Sequence, residues 1–196
     1  MIKTIYIADK SLSELESLFM CEIDDADFYD SIACNIAQEN PYYLLDNIKN
    51  YSGMRKRAAI FGLGSSLVKD EKITKEILLA THDTDPLVVS RAINALIDLE
   101  HKQYWSHIQP LLNNESPFVK GAVLTYARYV EAEKVYELLV SSLTDTHYIV
   151  REYAIDELAE LGNIEAIEKI KPLLNDVHPH VRQAAESAIK ELSNNS

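Results

Sequence analysis

Four stretches decide the fold: Asp83-Thr-Asp-Pro-Leu-Val88, Asn114-Glu-Ser-Pro-Phe-Val119, Asp145-Thr-His-Tyr-Ile-Val150 and Asp176-Val-His-Pro-His-Val181. They align without a gap, and their first residues are each 31 positions apart. A fixed period of that size marks a repeat architecture. The same step links Val88, Val119, Val150 and Val181, then Ala92, Val123, Ala154 and Ala185. It continues through Leu96, Ala127, Leu158 and Ile189, and through Leu99, Val130, Leu161 and Leu192. Within one repeat these positions fall at i, i+4, i+8 and i+11, one stripe of an α-helix.

A second apolar stripe precedes each turn. Ile77, Ile108, Leu139 and Ile170 share the step, as do Leu112, Leu143 and Leu174. Each unit therefore reads as a helix A, a short turn, and a helix B, and 31 residues leave no room for a strand. Asp or Asn in the turn accepts hydrogen bonds from free backbone N–H groups, and Pro suits a first helical position. Pro110 and Pro172 share one column inside helix A, where proline should kink the helix.

Two further pairs precede these with weaker register. Pro41 to Asn50 reads as helix A and Met54 to Ser66 as helix B, with Met54, Ala58 and Phe61 inward and Gly62 and Gly64 at the exit. Ser11 to Glu22 and Asp27 to Glu39 form the first pair, opened by a capping box of Ser11 and Glu14. The expected architecture is all-α: an α-solenoid of about six antiparallel helix pairs in one domain over 1–196. The repeats are clear over 70–193 and degenerate over 11–69.

Composition narrows the function. No run approaches the length of a membrane span, and the stretch 1–9 is too short for a secretory signal. Cys21 and Cys34 have no metal spacing, so a cytoplasmic protein with free thiols is expected. The net charge is −12, with 10 acids against 3 bases in 1–50, 7 against 7 in 51–100 and 14 against 9 in 101–196. That balance repels a phosphate backbone and steers toward a basic partner.

Asp176-Val-His-Pro-His-Val-Arg-Gln-Ala-Ala185 closely resembles the HEAT-repeat signature, including that of bacterial HEAT-like units related to phycobilisome lyases. Asp145 to Ala154 matches except for Tyr148 at the proline. The resemblance implies a right-handed superhelix whose helices B line the concave face. It also implies a ladder between adjacent repeats made by the turn Asp and the helix-B Arg. Asp145, Arg151, Asp176 and Arg182 carry both partners; Asn114 with Lys120 is a weakened version, and Asp83 with Val89 departs from the pattern. Ile93, Leu124 and Ile155 lie off the main stripe where a neighbouring repeat would cover them. Glu186 at that position is what a terminal cap expects, so the array reads as complete and monomeric.

The exposed face of helix B selects the candidate partner-binding residues: Asn94, Asp98, Arg128, Tyr129, Glu152, Asp156 and Glu160. Glu152, Asp156 and Glu160 form an acidic strip, and Tyr and Arg are common binding anchors. Glu152 and Asp156, at i and i+4, have no converging His, Cys or Ser, so no catalytic role is assigned. His147 and His178 occupy equivalent turns about 10 Å apart, too far to share one ion. They read as ordinary turn residues, and no metal or cofactor is expected. No His precedes Glu, which excludes the iron-binding pattern of the deoxyhypusine hydroxylases. Gly62-Leu-Gly64 lacks the third glycine of a nucleotide loop. Arg55-Lys56-Arg57, with Tyr42, Tyr43 and Tyr51 nearby, is the one basic cluster and the rival contact surface.

The resulting expectation is a non-enzymatic protein-binding scaffold or regulator, including an acidic inhibitor or immunity-type protein. The alternatives are a phycobilin-lyase-like chromophore-handling protein, or a HEAT-like DNA glycosylase, which would need a basic concave face.

Overall fold

A computed structural model describes residues 7, 10–22, 24–66, 68–131 and 133–194. The opening stretch 1–9 lies outside them except for Ile7. Twelve α-helices and no strand occur among the described residues. They form two compact units, 1–101 and 102–196.

The first unit holds α1 (Leu12–Met20), α2 (Ala26–Glu39), α3 (Pro41–Asn47), α4 (Gly53–Gly64), α5 (Glu71–Ala80) and α6 (Pro86–Asp98). The second holds α7 (Trp105–Ile108), α8 (Pro117–Tyr129), α9 (Val135–Ser142), α10 (Tyr148–Leu161), α11 (Ala166–Ile170) and α12 (Pro179–Asn194). These are six consecutive helix pairs, an all-α solenoid architecture. The starts follow the cap chemistry: Ser11 and Glu14 form the capping box of α1, and the Asp25 and Asp85 side chains accept from the first turns of α2 and α6.

Proline acts on helix A more sharply than a kink. α7 stops at Ile108 and α11 at Ile170, and each continues as a 3-10 turn, Gln109–Asn113 and Lys171–Asn175, with Pro110 or Pro172 in its first residues. Ser141 holds the same column in α9, which runs as uninterrupted α-helix to Ser142. Proline has no N–H to give the carbonyl four residues back, and its ring crowds that carbonyl, so the tighter winding takes over.

The 31-residue columns predict the core well. Ile77, Ile108, Leu139 and Ile170 are all fully buried, as are Ile93, Leu124 and Ile155, while Glu186 is exposed. Within each unit the B helices pack on one another: α4 on α2 and α6, and α10 on α8 and α12.

One reading of α4 needs correction, and another gains a packing reason. Met54 is 37% exposed, because it sits in the first turn before the helix meets its neighbours. Gly62 lies in the last turn of α4 and Gly64 is its final residue, and both are buried. A Cβ at Gly62 would meet the Ala33 carbonyl oxygen at 2.7 Å, and one at Gly64 would meet the Ala95 Cβ at 2.7 Å. Their smallness lets α2 and α6 approach α4 at the turn where it ends.

Candidate partner-binding face

In the second unit the outward face of α10 carries Glu152, half-buried, with Asp156 and Glu160 exposed. Across from Glu152 and Asp156, α12 presents His180, Gln183, Ala184 and Ser187, and the two helices bound a shallow groove of about 390 Å³. Asp156 is accessible at its edge yet set into this concave wall. Burial there, then the charges of Glu152, Glu157, Glu160 and Glu191, raise its carboxyl to about 6. The groove is thus a place where negative charge is already crowded.

Arg128 does not stand free beside the strip. Its Nε donates to a Glu157 carboxylate oxygen, and the Thr125 hydroxyl donates to the other oxygen at 2.7 Å. Glu157 is 6% exposed, so this is a buried charge held by two donors from α8. It escaped the sequence reading, although its column, Ala95, Tyr126, Glu157 and Ala188, is buried in every repeat. Three apolar members at the 31-residue step are the signal that marks the fourth as internal. Tyr129 is half-buried beneath the Lys102 ammonium, 5.2 Å above its ring, and Lys102 also faces Glu131 at 3.6 Å.

In the first unit, Asn94 is half-buried and Asp98 exposed on α6. The Asp98 carboxylate oxygen lies 3.5 Å from where a Gly64 Cβ would sit, and burial against α4 raises it while Arg91 opposes. Arg91 itself reaches across α4, over the Phe61 ring at 4.5 Å, to Asp30 on α2 at 2.8 Å. This strap is built between α2 and α6 across the helix that the two glycines make narrow.

The ladder runs from a helix-B base to the turn Asp of the next repeat. Arg151 donates from Nε and Nη2 to both Asp176 oxygens, at 2.8 and 2.7 Å, and from Nη1 to the carbonyls of Asp145 and Thr146, at 2.9 and 3.3 Å. Lys120 reaches Asp145 at 3.1 Å, and Arg182 donates to the Asp176 and Val177 carbonyls. The first unit has its own step, Lys56 to Asp83 at 2.5 Å, although Val89 offers no base. Asp83, Asp145 and Asp176 are all held below the ordinary carboxylate range. The Arg151 hydrogen bonds lead the causes at Asp176; at Asp83 and Asp145 burial opposes, and the hydrogen bonds outweigh it.

Two residues of the basic cluster, Arg55 and Lys56, are held in the same way. Arg55 donates to the carbonyls of Phe19, Met20 and Cys21 and to the Tyr29 hydroxyl, tying down the end of α1, and Lys56 holds Asp83. Tyr51 is buried, and Tyr42 is exposed and donates to Asp70 at 2.7 Å.

The turns come closer than their spacing suggests. Tyr148, in the column that is proline in the three other clear repeats, stacks on His178 of the next turn with ring centroids 3.5 Å apart. Two aromatic side chains close the gap that backbone spacing leaves open. Among the described residues, no group of three or more His, Cys, Asp and Glu is arranged to hold a metal ion, and no helix is long and apolar enough to cross a membrane.

Residues 106–190 match the family model for HEAT repeats. That stretch is made of HEAT repeats, which generally serve as scaffolds for protein interaction. No curated protein matches the sequence. Among solved structures, the chain is similar to the crystal structure of an engineered protein from the Northeast Structural Genomics Consortium. The similarity has a TM-score of 0.54 at 15% identity and covers 95% of this chain and 98% of that one, a likeness of fold alone.

Proposed function

We propose that this protein is a non-enzymatic scaffold that binds a basic segment of another protein on the α10–α12 face, in the cytoplasm and as a monomer. The observation that carries this reading is the crowding of negative charge at Asp156, in a groove whose opposite wall is neutral Gln183, Ala184 and Ser187 with His180 at one end. A Lys or Arg side chain entering there relieves repulsion among Glu152, Asp156 and Glu160, and the gain appears both in association rate and in partner selection. Such a scaffold suits an inhibitor or immunity-type role against a basic protein. Arg128, Tyr129, Asn94 and Asp98 take a lesser part in this proposal: Arg128 is committed to Glu157, and Tyr129 is covered by Lys102. The acidic groove offers nothing to a DNA backbone.

The test is affinity purification from the native host with the unaltered chain and with the triple variant Glu152→Lys/Asp156→Lys/Glu160→Lys. The expected result is a basic protein retained by the unaltered chain, released by salt and lost from the variant. An identical set of partners on both would overturn the assignment of this face.

A further inference from the structure

The turn columns place Asp85 at the head of α6, Ser116 before α8, His147 before α10 and His178 before α12. Asp85 Oδ1 accepts the Leu87 N–H at 2.9 Å. His147 fills the same role with imidazole, its Nδ1 accepting the Ile149 N–H at 3.2 Å. A backbone N–H only donates, so this cap exists only while Nδ1 carries no proton and the ring's single proton sits on Nε2. A doubly protonated ring turns N–H toward N–H and adds positive charge where the helix dipole opposes it.

The cap belongs to a joint between successive turns. The Tyr148 ring lies 5.0 Å from His147 and 3.5 Å from His178, near parallel to both, and His180 stands edge-on, 6.2 Å from Tyr148 and 5.1 Å from His178. The His178 Nδ1 is buried without a hydrogen-bond partner. Around this stack the charged groups are Asp145, Asp176, Lys120, Arg151 and Arg182. Asp145 already accepts from Lys120 and from the His147 N–H. Asp176 already accepts the Arg151 fork and the His178 N–H. Both turn carboxylates are therefore engaged before any imidazole takes a proton.

We propose that His147, stacked through Tyr148 on His178, is an acid-sensitive latch: it caps α10 while neutral and releases that end of the helix when protonated. The joint between the last two turns then loosens in mildly acidic conditions while the Asp85-capped helix α6 keeps its start. The inference rests on the cap and the stack alone and is independent of partner binding.

Hydrogen exchange by NMR on the full chain tests it. Corrected for intrinsic exchange, protection of the Ile149 amide falls about fivefold between about pH 7.5 and pH 5, the size expected for loss of one helix cap. Leu87 protection stays level as an internal control. His147→Asn keeps an acceptor that does not titrate, and its Ile149 protection stays level too. Long-range proton–nitrogen spectra of the unaltered chain show the Nε2–H tautomer of His147 at about pH 7.5, a reading that needs no variant. Constant Ile149 protection in the unaltered chain, an equal fall in His147→Asn, or the Nδ1–H tautomer would each overturn the latch.

Discussion

Replacing Arg151 with Ala removes four hydrogen bonds at once: two to the Asp176 carboxylate and two to the turn carbonyls of Asp145 and Thr146. The side chains of Arg151 and Asp176 are 11% and 7% exposed, so the pair sits largely out of water. Breaking a buried pair from one side costs about 3–5 kcal/mol, since the remaining charge is left uncompensated. Asp176 keeps the His178 N–H at 2.8 Å, which puts the expectation near the lower end, about 3 kcal/mol. Arg151→Lys retains charge without the fork and should cost about 1–2 kcal/mol. Lys120→Ala is the internal yardstick: its pair with Asp145 is single-pointed and more exposed, at 27% and 19%, so about 1 kcal/mol is expected. Urea unfolding followed by Trp105 fluorescence is the assay, because this single Trp lies in the 102–196 unit that carries the ladder step. The pH dependence has a definite sign. Asp176 is held below the ordinary carboxylate range, so the contribution of the pair is present above about pH 4, the unfolded value, and is lost as pH falls through the lower folded one. The gap between Arg151→Ala and the unaltered chain should therefore narrow below about pH 4. A cost for Arg151→Ala no larger than that of Lys120→Ala would refute the ladder as the main polar joint of these repeats.

Gly121→Ala would place a Cβ 2.4–2.7 Å from three atoms of the Tyr153 ring, including Cγ at its rigid end. Crowding of that kind costs about 1–3 kcal/mol and should outweigh the helix propensity gained, lowering the thermal midpoint; Tyr153→Ala in the same chain should recover part of the loss. Asp156→Asn should stabilise the chain at about pH 7.5, because a carboxyl raised to about 6 in the fold is ionised there at a cost. The group is exposed at its edge, so the gain is kept to about 1 kcal/mol or less, and it should vanish in urea titrations below about pH 4, where the carboxyl is protonated folded and unfolded alike.

The 31-residue step made core positions legible because burial in a stacked helix pair repeats wherever the geometry repeats. Ile77, Ile108, Leu139 and Ile170 are far apart in sequence but hold one place in successive helices A, and all are fully buried. The misreadings arise where neighbours rather than periodicity decide. Met54 keeps its apolar character but, in the first turn of α4, lines an open groove with Glu22, Asp24 and Tyr29 and is 37% exposed. Gly62 and Gly64 do mark the end of α4, but they also make room for the backbone of α2 and the Ala95 side chain, which periodicity does not show. The resemblance names the ladder's partners, a turn Asp and a helix-B base of adjacent repeats, but only the structure shows that the carboxylate of each Asp is met by a base 25–27 residues earlier. That offset is a property of how one pair sits on the next, and no single repeat contains it. Glu157 was hidden because an acidic residue on a mostly acidic helix passes for surface until its partners on α8 are known.

Those same partners bear on the proposed face. Arg151 and Glu157 are buried charges on α10, and they point to opposite neighbours: Arg151 to the turn before α12, Glu157 to Thr125 and Arg128 of α8. Charge-assisted bonds are directional, and each fixes the rotation and axial position of α10 more narrowly than apolar packing alone. Glu152, Asp156 and Glu160 therefore project from a helix pinned on both sides. Carboxylates held on such a frame lose little further freedom when a cationic partner arrives, and they cannot spread apart to relieve their own repulsion beforehand. If the pins matter in this way, Thr125→Val, which takes one donor from Glu157 without touching the groove, should weaken partner binding mainly through faster dissociation. Substitutions of Glu152 or Glu160, by contrast, should act first on the association rate and its salt dependence.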